Sequence, residues 1–86
     1  MTTAAARPRG FNPQEQAALS DLFTYHAPTP EQILRMDAIR HAGERMAGEI
    51  LMQCPRSLDC SAAVRKIREA VMTANASIML NGRNLP

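Results

Sequence analysis

Arg40 stands where an apolar side chain belongs. Ile33, Met36, Arg40, Gly43, Ala47 and Ile50 recur every three or four positions, which is the seam of an amphipathic helix. At about 100° per residue, Arg40 falls in the middle of that stripe. A guanidinium there must reach out to solvent, pair with an acid, or meet an anion at an interface. Glu44 or an acid on a facing helix would satisfy it; a phosphate or carboxylate would suit its planar fork. Fifteen residues earlier, Tyr25 lies in Thr24-Tyr25-His26-Ala27-Pro28, an extended link whose proline disfavours helix at Ala27. Its ring can present a flat face to a ligand or plug the end of a helix pair.

Other polar groups are weaker candidates. Asn75 and Ser77 sit beside a second apolar seam, Val64, Ile67, Val71, Ala74 and Ile78, where an amide suggests buried hydrogen bonding or a polar layer that sets register. Arg65, Lys66 and Arg68 form a basic cluster that reads as a solvated face or, at the opening of an oligomer, as a phosphate contact. No catalytic set emerges: His26 and His41 lie on different elements, and no nucleophile, metalloprotease or phosphate-loop motif is present. Cys54 and Cys60 lack zinc-ligand spacing and read as free thiols. The sequence therefore predicts neither an enzyme nor a metal or cofactor site.

Composition narrows the classes further. The chain has 86 residues, 45% of them apolar and 3% aromatic, with a net charge of +2. Three rings, Phe11, Phe23 and Tyr25, are too few for the stacking platforms of single-strand nucleic-acid binders. The charge is too small to demand DNA and suits a small anion. Nine of the ten cations are Arg, a bias that bidentate anion recognition and a GC-rich genome would both produce. No apolar stretch has the length of a signal peptide or membrane span, so a soluble intracellular protein is expected. A domain this short has a marginal core of its own, and association of copies is the first expectation.

Three helices must position these residues. Asn12-Pro13-Gln14-Glu15 predicts a short helix from Pro13 to about Phe23, capped by Asn12. Thr29-Pro30-Glu31-Gln32 repeats the capping logic and starts a second helix, Pro30 to about Gln53. Ser57 caps a third, running to about Leu80, where Asn81-Gly82 supplies the stop. A connector of about four residues forces the two long helices into an antiparallel hairpin. Gly43 and Gly48, each costing about 1 kcal/mol in a helix interior, make sense where another backbone packs closely. Glu44 with Arg40, and Arg45 with Glu49, are expected ion pairs. The fold class is thus all-α: a flexible segment 1–11, a single helical-hairpin domain 12–82 and a frayed tail 83–86, assembling as a homo-oligomer.

Tyr25-His26-Ala27-Pro28, Gln32, Ile39-Arg40-His41-Ala42-Gly43, Cys54-Pro55-Arg56-Ser57 and Ala70-Val71-Met72-Thr73-Ala74-Asn75-Ala76-Ser77-Ile78 together resemble the helical-hairpin domain of phage anti-defence sponges. These are the small anti-CBASS and anti-Thoeris proteins that sequester cyclic-nucleotide immune messengers. The similarity spans about Tyr25 to Leu80. It implies a hexamer built as a trimer of dimers, with cyclic dinucleotides in pockets shared between protomers and, in some members, cyclic trinucleotides near the central axis. It also implies that the messenger is held without being cleaved. In the anti-CBASS branch an aromatic near the start of the hairpin stacks on a base, and a cation fifteen residues later, in an Ile-Lys context, contacts phosphate. Tyr25 and Arg40, in Ile39-Arg40, stand at that spacing. This chain departs from the pattern in having Arg for Lys, and Thr73 where many relatives carry Trp.

The resulting expectation is a protein of the infected bacterial cytoplasm that binds a cyclic di- or trinucleotide, or a cyclic ADP-ribose isomer. Tyr25, Arg40, His26, Arg65, Lys66, Arg68 and Asn75 are its ligand-binding candidates. No long nucleic acid and no membrane partner is expected. The alternative is a small helical DNA-binding regulator or antitoxin-like interaction protein using its basic third helix.

Overall fold

The computed structural model describes residues 10–85. The expected flexible segment 1–11 lies outside that range except for Gly10 and Phe11, as does Pro86 of the tail. Three helices and no strand are present among the described residues: α1 (Pro13–Leu22), α2 (Pro30–Gln53) and α3 (Leu58–Leu80).

Each helix begins at a cap that the local sequence dictates. At α1, the Glu15 N–H donates to Asn12 Oδ1 at 2.7 Å and the Asn12 N–H to Glu15 Oε1 at 3.2 Å, with Pro13 in the first turn. At α2, the Gln32 N–H donates to Thr29 Oγ1 at 3.1 Å and the Thr29 N–H to Gln32 Oε1 at 2.9 Å. Each reciprocal pair satisfies two backbone donors that the first turn leaves open. Ser57 Oγ accepts the Cys60 N–H at 3.1 Å at the start of α3.

The ends are equally local. α1 stops at Leu22, with Phe23 as its cap residue. Cys54, ahead of Pro55, turns extended at φ −102° and ψ 137°, the conformation that a following proline favours. Arg56 Nη1 then donates to the Leu51 carbonyl at 2.8 Å, covering an open acceptor of the last turn. Asn81 at φ 50° and Gly82 at φ 88° terminate α3 through left-handed backbone, which Asn and Gly tolerate best.

Helix packing is between α2 and α3, and α1 stands largely off them. At Gly43 a Cβ would collide with Val71 Cγ2. The tight contact expected at Gly43 is therefore real, made by a side chain rather than a backbone. At Gly48 the same expectation fails within the chain, because a Cβ there would meet open space. Near one end of the hairpin, Gln32 Nε2 donates to the Ile78 carbonyl at 3.0 Å.

The hairpin is an open plate. Its Cα radius of gyration is 19.1 Å and its extents are 55 × 43 × 15 Å, against about 12 Å for the radius of a compact domain of this length. Met36 and Cys60 are its buried apolar side chains, while Leu34, Met46, Met52, Leu58 and Met72 are exposed. Burying Met36 contributes on the order of 1.5–3 kcal/mol, and the smaller Cys60 contributes less. One chain thus leaves much of its apolar surface in water.

Candidate ligand-binding site

Tyr25 emerges from the link between α1 and α2 and is 82% exposed. Its neighbours are anchored. Thr24 Oγ1 donates to the Ser20 carbonyl at 2.7 Å, and the Thr24 N–H donates to the Asp21 carbonyl at 3.3 Å. His26, part-buried, donates from Nε2 to that same carbonyl at 2.9 Å. His26 therefore secures the end of α1, and its Nε2 is engaged within the chain.

Arg40 projects from α2 beside a groove between α2 and α3 of about 210 Å³, lined also by Gly43, Glu44, Ala47, Val64, Ile67, Arg68 and Val71. Its fork turns outward to Asp37, with Nη1 2.8 Å from Oδ1 and the side chain about half exposed. The expected partner Glu44 is thus replaced by Asp37, one helical turn earlier, a spacing that places the two on the same face. Glu49, expected to pair with Arg45, accepts a hydrogen bond from Gln53 at 2.8 Å.

The basic cluster divides. Arg68 shares the groove with Arg40, whereas Arg65 and Lys66 are exposed and do not line it. The groove is lined almost wholly by apolar surface, although Arg40, Arg68 and Glu44 are among the residues that form it. At about 210 Å³ it falls below the ~300–1,000 Å³ of ordinary small-molecule pockets. Arg40 lies ten residues beyond Pro30, about 15 Å along the α2 axis, and Tyr25 does not line its groove.

Asn75 is half-buried, and its Oδ1 is buried with no hydrogen-bond partner among the described residues. The expected internal polar layer is therefore incomplete: no donor among the described residues meets the acceptor. Ser77, its companion in that reading, is exposed. Among the described residues no three or more His, Cys, Asp or Glu side chains gather as a metal site. Cys54 and Cys60 are both free, and no described helix is long and apolar enough to cross a membrane.

The family model described as Acb2/Tad1, hairpin domain, matches residues 12–79. This chain belongs to the Acb2/Tad1 hairpin family. That is the family of phage anti-CBASS and anti-Thoeris cyclic-nucleotide sponges, which bind and sequester. No curated protein and no solved structure matches the chain. The matched span of the Acb2/Tad1 hairpin takes in α1, the Tyr25 link and nearly all of both long helices.

Three participants in this Acb2/Tad1 hairpin escaped the reading of its sequence. Asp37, the partner of Arg40, was discoverable as an ordinary pair three residues apart. Phe23 is as open as Tyr25, at 84% exposure; its position at the end of α1 was the available signal. Arg83, whose Nε lies 3.0 Å from Asp21 Oδ2, carries no local signal, because the pairing depends on how the tail folds back.

Proposed function

We propose that this protein binds cyclic oligonucleotide immune messengers and holds them intact in the cytoplasm of an infected bacterium. The ligand class is cyclic dinucleotides such as cyclic GMP-AMP, with cyclic trinucleotides and cyclic ADP-ribose isomers as further members. Sequestration lowers the free messenger, so the effector it would activate stays off. The family match over residues 12–79 carries this reading.

The geometry supports a site shared between protomers. Tyr25 offers an open ring and Arg40 a fork beside an apolar groove, yet within one chain Tyr25 does not line that groove. A second copy bringing its Tyr25 toward this chain's Arg40 would give a purine a flat face and a phosphodiester a bidentate cation. The same association would cover the exposed Met and Leu side chains of the plate. A hexamer, as a trimer of dimers, is the assembly in this reading. Arg68 beside Arg40, Asn75 with its open acceptor, and the exposed Arg65 and Lys66 are the secondary contacts.

The test is calorimetry of the full chain against cyclic dinucleotides, cyclic trinucleotides and cyclic ADP-ribose isomers, with the oligomer mass measured alongside. The expected result is tight binding of at least one ligand, recovered unchanged after denaturation. Linear products in the recovered material, or no binding across the panel, overturns the reading.

A further inference from the structure

The Tyr25 link is held from both sides by polar contacts, and Asp21 gathers those on the α1 side. Asp21 lies in the last turn of α1. Its backbone carbonyl accepts from the Thr24 N–H at 3.3 Å and from His26 Nε2 at 2.9 Å, so both residues flanking Tyr25 are tied to it. Its carboxylate faces a guanidinium and an imidazole: Oδ2 is 3.0 Å from Arg83 Nε, and Oδ1 is 3.6 Å from His26 Nε2. Arg83 is itself fixed to the end of α3, donating from Nη1 to the Leu80 carbonyl at 3.1 Å and from its backbone N–H at 3.0 Å. At the far end of the link, Gln32 holds the start of α2 to the Ile78 carbonyl in the last turn of α3.

We infer that Asp21 is a positioning residue for Tyr25, acting through an ion pair with Arg83 that clasps the end of α1 to the end of α3. Helix packing contributes little to this, because α1 stands largely off the hairpin and has no fully buried residue. Without the clasp, α1 and the first half of the link are free to swing about residues 27–29, and the Tyr25 ring swings with them. With it, the ring is presented at one place relative to the hairpin, and less orientational freedom is lost when a ligand binds. The functional half of this inference rests on the reading of Tyr25 as a base contact; the mechanical half does not.

Tyr25 is the single Tyr in a chain without Trp, so the intrinsic fluorescence of the full protein reports on this ring directly. Asp21→Asn and Arg83→Gln are expected to enlarge the fast local component of its anisotropy decay with helicity unchanged by circular dichroism. They should weaken cyclic GMP-AMP binding roughly two- to fivefold, the range of an exposed ion pair. The double variant should lose no more than either single one, since both remove the same contact. Arg83→Lys, which keeps the charge and loses the fork, should fall between. An anisotropy decay that is unchanged in both single variants overturns the clasp whatever the affinity does. A Tyr25→Ala protein that binds as well as the parent overturns the base-contact reading and the functional half with it.

Discussion

Gln32 reaches across the hairpin to Ile78. Its Nε2 donates to the Ile78 carbonyl at 3.0 Å while its Oε1 accepts the Thr29 N–H at 2.9 Å, so one amide both caps α2 and ties its first turn to the last turn of α3. Gln32→Ala removes both contacts and is expected to cost about 1–2 kcal/mol, combining a lost cap with a lost cross-helix bond. Gln32→Glu retains the acceptor and loses the donor, and should cost about half as much. Urea denaturation at one fixed protein concentration checks both.

Gly43 and Gly48 occupy the same helix but should respond oppositely to alanine. At Gly43 a methyl meets Val71 Cγ2, and the overpacking should cost about 1–3 kcal/mol, partly offset by helix propensity. At Gly48 the methyl enters open space, and the gain should be up to about 1 kcal/mol. Thermal denaturation of the two variants at one concentration tests the contrast.

These two glycines also show where the sequence was legible and where it was not. Capping signals, prolines and periodicity act within a few residues of each other, which is why both long helices appear where Thr29-Pro30, Ser57 and Asn81-Gly82 place them. The apolar seams show which faces meet. They do not show that Gly43 lies under Val71 while Gly48 lies under nothing, because that depends on the exact axial offset of two helices. The same limit hid the Asp21–Arg83 pair and split Arg68 from Arg65 and Lys66. Arg40 was legible as an anomaly of the stripe; its turn to Asp37 rather than Glu44 is a choice between two neighbours on one face.

Arg40 is bound to Asp37 before any ligand arrives, so a phosphodiester must compete with a carboxylate for the fork. Asp37→Asn is expected to tighten cyclic dinucleotide binding by roughly two- to fivefold, the range of an exposed ion pair. Arg40→Ala should weaken it by at least about tenfold, and Arg40→Lys by less, since charge remains without bidentate geometry. Calorimetry with cyclic GMP-AMP at two salt concentrations resolves the order. Arg40→Ala and Tyr25→Ala proteins that both bind like the parent would remove these residues from the site.

Asn75 carries an acceptor with no donor among the described residues, and a buried group of that kind costs about 1–3 kcal/mol. Asn75→Leu should therefore stabilise the ligand-free protein by about 1 kcal/mol and weaken ligand binding by roughly fivefold, the loss of one hydrogen bond. Denaturation without ligand and titration with it measure the two effects separately.

The apolar surface of the plate leads to the last prediction. Ile39, Ala42, Met46, Ile67, Ala70 and Ala74 line an open apolar groove of about 280 Å³ along the hairpin, with Met46 51% exposed. A chain with so little buried interior gains stability by covering such a surface with copies of itself. Unfolding of the parent protein should therefore shift to higher temperature as its concentration rises, since assembly favours the folded state by mass action. Met46→Glu places a carboxylate on that groove and leaves Gln32 and every helix cap unchanged. It should lower the oligomer mass seen by light scattering and remove the concentration dependence, while circular dichroism still reports the helices. If Tyr25 and Arg40 meet only across protomers, the same substitution must also abolish cyclic dinucleotide binding, although it lies in neither residue. Retained binding by a monomeric Met46→Glu protein would place the whole site within one chain.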